Sequence, residues 1–129
     1  MGRQWTTSDA WVFASLRGIG PRTGYTLARL IGVADAINHG IPTEAQLVQA
    51  VQRLTAAGLA GADIQADRYW RTRAGRALYR RTMKRRDMFE WDAILPVLNQ
   101  LGVPHDSDWS LPPGAFDQAV SKYLGQGGP

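Results

Sequence analysis

The stretch from Ile41 to Arg81 constrains the fold more than any other, because it reads as an unbroken series of helix, hairpin and helix. Ile41-Pro42 interrupts what precedes. Thr43 follows as an N-cap, since its hydroxyl can accept from a free amide of the first helical turn. Leu47, Val51 and Leu54 then recur at the i, i+4, i+7 spacing that lines up apolar side chains on one face. Gly58 ends the segment, because glycine enters the left-handed conformation without a Cβ penalty. A helix over 43–57 is expected. Leu59-Ala60 begins an extended piece, Gly61 to Asp67 supplies turn residues, and Arg68-Tyr69-Trp70-Arg71-Thr72 has the aromatic and β-branched content of a second strand. Thr72 can cap another helix, in which Ala74, Ala77, Leu78 and Met83 bury one side while Arg76, Arg80 and Lys84 line another.

Leu54-Thr55-Ala56-Ala57-Gly58-Leu59, a turn, and then Tyr69-Trp70-Arg71-Thr72-Arg73-Ala74-Gly75-Arg76-Ala77-Leu78 resemble part of a known family. They look like the end of the recognition helix, the wing and the next helix of bacterial winged helix-turn-helix regulators of the MarR and PadR type. The resemblance spans Thr43 to Arg81. Asp35 to Thr43 is also similar to a segment of small uncharacterised bacterial winged-helix proteins. The resemblance implies a mainly α winged helix-turn-helix fold with a small two-stranded β wing, and a DNA-binding protein acting as a dimeric transcriptional regulator. The helix from Thr43 would enter the major groove, with Thr43, Gln46, Gln49 and Arg53 as its DNA-binding residues. Gln is suited to adenine, and Arg to guanine or phosphate. Arg68, Arg71, Arg73 and Arg76 would supply contacts from the wing and the following helix to the DNA backbone. Two features depart from the family: Glu44 opposes phosphates, and Asp63 and Asp67 make the wing turn acidic. The alternative is a winged-helix module that binds another protein.

Charge distribution carries the same expectation independently. The net charge is only +4 over 129 residues, yet Arg68, Arg71, Arg73, Arg76, Arg80, Arg81, Lys84, Arg85 and Arg86 are nine cations uninterrupted by an acid. The rest of the chain holds 6 basic residues against 11 acidic ones. A basic block on an acidic background suits a polyanion such as double-stranded DNA; the competing reading is a solvated helix face.

The flanking segments read as scaffold. Thr7 or Ser8 can cap a first helix running to about Arg17, with Trp11, Val12, Ala14, Ser15 and Leu16 on its apolar side. Gly18-Ile19-Gly20-Pro21-Arg22-Thr23-Gly24 resembles a helix-hairpin-helix turn, in which glycines let backbone amides meet a phosphate; the competing reading is a plain connector. Thr23 or Thr26 caps a second helix that carries Leu27, Leu30, Ile31, Ala34 and Ile37 and ends near His39. With the resemblance, residues 1–86 are expected to form a winged-helix domain and 87–129 a helical extension, with Pro96 a kink or helix start, a last helix through Phe116, Val120, Tyr123 and Leu124, and Gly125 to Pro129 a tail. Met88, Phe89, Trp91, Ile94, Leu95, Val97, Leu98 and Leu101 make the extension apolar enough to fold back on the first helix or to join a second copy in a homodimer.

Other classes are expected to be absent. No apolar run reaches the roughly 20 residues of a membrane helix, and no signal-peptide core begins the chain, so a cytoplasmic protein is expected. There is no cysteine, and His39 and His105 stand far apart, so neither a metal site nor a cofactor is expected. No phosphate-binding glycine loop, convergent triad or facing carboxylate pair marks an enzyme.

Overall fold

The computed structural model describes residues 4–83 and 90–126. It is mainly helical, with a small two-stranded antiparallel sheet. Helix α1 (Thr7–Ser15) is the central element, since every residue from Asp9 to Ser15 is buried. A helix that is apolar nearly all round has to be enclosed. Helix α3 (Glu44–Ala56) and helix α5 (Glu90–Asn99) cover it from two directions, and helix α2 (Leu27–Asn38) packs beside it. The cap of α1 is Thr6 rather than Thr7 or Ser8. Its hydroxyl accepts from the Asp9 amide while Asp9 accepts from the Thr6 amide, and this reciprocal box fixes the start one residue early. The helix also ends at Ser15, two residues short of the expected stop.

Thr26 caps α2, and His39 closes it in the left-handed conformation at φ 53. Thr43 caps α3 as expected, and Leu47, Val51 and Leu54 are buried. Strand β1 (Ala60–Asp63) pairs with strand β2 (Arg68–Arg71) in the register Ala60↔Arg71, so three residues expected in the turn belong to the ladder. Tyr25, between α1 and α2, adds a one-residue bridge to Tyr69 with reciprocal bonds of 2.9 and 2.8 Å. Helix α4 (Arg73–Thr82) follows directly, capped by Thr72. A Cβ at Gly75 would lie 2.0 Å from the Leu59 carbonyl oxygen, so glycine is what lets α4 sit against the hairpin. The buried side of α4 is therefore Gly75, Leu78 and Thr82; Ala74 and Ala77, expected inside, are exposed.

The C-terminal segment folds back on the same chain. Ile94 and Leu98 of α5 are fully buried in the core that contains α1. Pro96 lies inside α5 without ending it, its exposed ring leaving the Asp92 carbonyl without a helical donor on the solvent side. Met88 and Phe89 lie outside the described residues. Helix α6 (Ala115–Gln126) runs two residues into the segment expected as a tail from Gly125 and packs on α2. Tyr123 lies over Gly32, where a Cβ would stand 2.9 Å from its ring, and its hydroxyl donates to Asp35 Oδ2 at 2.6 Å. One hydrophobic core thus joins residues from both sides of the expected boundary at 86–87. None of the described helices is long and apolar enough to cross a membrane.

Candidate nucleic-acid interface

The expected reading helix keeps few free polar groups. Gln46 is the N3 residue of a capping box: its Oε1 accepts from the Thr43 amide at 2.9 Å, and the Thr43 hydroxyl accepts from the Gln46 amide at 3.1 Å. Two of the four side chains expected to contact DNA from this helix, Thr43 and Gln46, are holding the start of α3. Arg53 is not at a surface. It is 8% exposed and donates to Asp9 Oδ2 at 2.9 Å and to the Gln4 carbonyl at 3.0 Å, with Asp106 at 3.8 Å. A guanidinium enclosed with a carboxylate cannot also reach a phosphate, so Arg53 leaves the candidate interface.

Residues 105–109 cover one side of α3. The Ser107 amide donates to the Gln52 carbonyl, Gln52 Nε2 donates to the Trp109 carbonyl at 2.9 Å, and the Ser107 and Thr55 hydroxyls meet at 2.6 Å. Ala45 and Ala56 remain exposed on the outward side with Gln49 half-buried between them, and Gln49 is the one expected reader there whose amide takes no partner among the described residues. Helix α3 itself places no cation among these outward residues.

The hairpin divides its two arginines. Arg68 is half-buried and folds over the turn, donating to the Ala66 and Asp67 carbonyls. Arg71 is 8% exposed. Its guanidinium donates to the Phe13 and Ala14 carbonyls at 3.0–3.2 Å and stacks over the Tyr79 ring at 3.5 Å. The C-terminal carbonyls of α1 have no i+4 helical donors, Phe13 receiving only the Leu16 amide at 3.3 Å, and they carry the negative end of its dipole, which explains why a buried cation is held there. Arg71 is thus a core residue, and its expected role at a DNA backbone is corrected.

Helix α4 carries the exposed cations. Arg73, Arg76 and Arg80 follow at spacings of three and four, which places them together on the side opposite Gly75, Leu78 and Thr82. Arg73 and Arg80 are exposed and Arg76 is half-buried. The stripe spans about 10 Å of helix at 1.5 Å per residue. None of the three makes an ion pair with a described residue; both such pairs in the described parts belong to Arg53. Arg81 is exposed on the flank. Arg80 belongs to this site too: it was expected on the Arg76 face of the helix and in the basic block, although only Arg73 and Arg76 of α4 were named as DNA-binding residues. Lys84, Arg85 and Arg86 lie outside the described residues.

The Gly18 to Gly24 turn is a connector. Its Ile19 amide is taken by the Thr23 hydroxyl, the Gly18 carbonyl accepts from the Arg71 amide, and no helix starts before Leu27. A phosphate site of the helix-hairpin-helix kind needs a helix N-terminus at the turn. Among the described residues no cluster of three or more His, Asp or Glu could hold a metal ion. Comparison with known protein families, curated proteins and solved structures finds no match to this chain.

Proposed function

We propose that the protein binds duplex DNA through phosphate contacts made by Arg73, Arg76 and Arg80, on a winged helix-turn-helix scaffold. The observation that carries this reading is the α4 stripe, three neighbouring guanidinium groups, Arg73 and Arg80 exposed and Arg76 half-buried, with no carboxylate paired to them among the described residues. The scaffold reading is supported by the order of elements: helix, bridging residue Tyr25, two helices, hairpin, helix. Guanidinium groups on a backbone displace condensed counterions and carry no base information, so binding of this kind is strong at low salt and indifferent to sequence.

The test is fluorescence anisotropy of mixed-sequence duplexes at about 50 and 200 mM salt, since phosphate contacts make affinity fall steeply across that range. Similar affinity for unrelated duplexes, lost together at the higher salt, is the expected result. Absence of binding at the lower salt would sink the reading. The finer reading, a dimeric transcriptional regulator, requires in addition a dimer in sedimentation and one preferred duplex. A protein-binding module is favoured by a different observation: Glu44 is exposed in the first turn of α3 and makes no ion pair with a described residue.

A further inference from the structure

A cavity of about 300 Å³ lies where the turn of the hairpin, the start of α2 and helix α6 meet. This is the small end of the range for ligand pockets, roughly 300–1,000 Å³. Leu27, Ile64, Leu111 and Ala119 give it apolar walls, and the polar groups in its lining include Tyr69, Asp67 and Lys122. Tyr69 is the informative residue. The residue is 2% exposed and packs edge-on against Trp109, while its hydroxyl is left open toward the cavity and makes no hydrogen bond to a described residue. A phenol at the wall of a cavity can bond to water there or offer its donor to a ligand that displaces the water. Asp67 is close enough that its charge, added to the larger effect of burial, pushes the Tyr69 phenol far up. The hydroxyl therefore keeps its proton and remains a donor. One oxygen of Asp67 already accepts from the Leu27 amide at 3.0 Å, leaving the other as an acceptor.

We infer that this cavity binds a small uncharged molecule with an apolar body and one hydroxyl, which accepts from the Tyr69 hydroxyl and donates to Asp67. The charges of the lining decide against an ion. The lining carries one charge of each sign, Asp67 and Lys122, and Asp67 already accepts from the start of α2, so an ion of either sign is drawn to one group and repelled by another and gains little for its desolvation. A hydroxyl satisfies both the donor and the acceptor without a net charge in a half-enclosed site. This inference is independent of the α4 stripe and stands or falls without it.

The experiment is a titration of the full chain, followed by NMR chemical shifts, with four probes of similar shape: 2-naphthol, naphthalene, 2-naphthoate and 2-naphthylmethylammonium. The expected result is saturable shifts at Leu27, Tyr69 and Ala119, tightest with 2-naphthol. Tyr69→Phe should melt at the wild-type temperature, because its hydroxyl has no protein partner, and should bind 2-naphthol about tenfold more weakly with naphthalene unchanged. No shift at these residues with any probe would overturn the inference. So would tighter binding of either ion, or equal affinity of Tyr69→Phe for 2-naphthol.

Discussion

Helices α3 and α4 make opposite use of arginine. Arg53 on α3 is enclosed with Asp9 and ties three parts of the chain together, whereas Arg73, Arg76 and Arg80 on α4 touch no acid among the described residues and face water. Both helices have a capped start and an apolar face. What separates them is what surrounds each. Helix α3 is wedged between α1 and residues 105–109, so an arginine on its flank meets a carboxylate and carbonyls. Helix α4 rests on the hairpin and α5 along one side only. A cation's position in the sequence shows that charge is present, but its neighbours in space decide whether that charge serves the fold or a partner.

The largest effect is expected at the enclosed arginine. Asp9 is fully buried, and Arg53→Ala would leave its carboxylate without a counter-ion, which typically costs about 3–5 kcal/mol when one member of a buried pair is removed. Urea unfolding should show that loss. Replacing both residues together by Leu and Met should recover much of it, and a double variant as unstable as the single one would show that the pair has another role.

Arg71→Met comes next. The substitution keeps the length of the side chain but removes charged donors from two carbonyls at the end of α1 and a cation from the face of Tyr79. Hydrogen bonds to charged groups are worth about 1.5–3 kcal/mol, and a loss of that order is expected in the same unfolding measurement. Duplex affinity of the folded fraction should be unchanged. Reduced affinity at unchanged stability would restore Arg71 to the interface.

The elements of this fold were largely legible in the sequence, whereas the assignment of arginines was not. Thr43, Thr72, Gly58 and the Leu47, Val51, Leu54 stripe mark their helix ends and faces by local chemistry, and the structure has them so. Arg53 and Arg71 are held by partners 44 and 57–58 residues away, and no local pattern carries that information. Gln46 is a different case. The Thr43-to-Gln46 spacing is itself a capping-box signature, so its engagement could have been read. The C-terminal segment was ambiguous because an apolar face does not say whether its cover is the same chain or another. Ile94 and Leu98 answer for the described part, being buried against α1.

Replacing Arg73, Arg76 and Arg80 by Ala should reverse the pattern of the first two substitutions. These residues make no described ion pair, so stability should move by no more than about 0.5 kcal/mol. The dependence of log affinity on log salt should become shallower by about 0.9 per lost contact, and by the same amount on every duplex. A large loss of stability instead would place the stripe among the structural arginines.

Alkaline pH probes the other buried group of β2. The Tyr69 phenol titrates well above its ordinary 10.0 when folded, so above that pH the unfolded chain releases a proton that the folded chain retains. Folding stability is therefore fully present below pH 10.0 and falls as pH rises further, toward the raised folded value. Tyr69→Phe should flatten this decline in thermal melts, and an equal decline in the variant would assign it to other groups.

The smallest effect is expected at Gln49, and it bears most directly on the contrast between the two helices. It is the expected reader of α3 that remains outward, with its amide unpaired among the described residues. If α4 supplies the binding through phosphates, Gln49→Ala removes no phosphate contact, and duplex affinity should change by less than about twofold on every sequence. A side chain that pairs bidentately with adenine contributes about 1–3 kcal/mol of discrimination, so its loss would weaken one duplex at least about fivefold and leave others as they were. Measuring Gln49→Ala against a library of duplexes separates the cases. A uniform, near-zero change leaves α3 as scaffold, while a selective loss would make α3 the reading element and reduce the α4 stripe to backbone support.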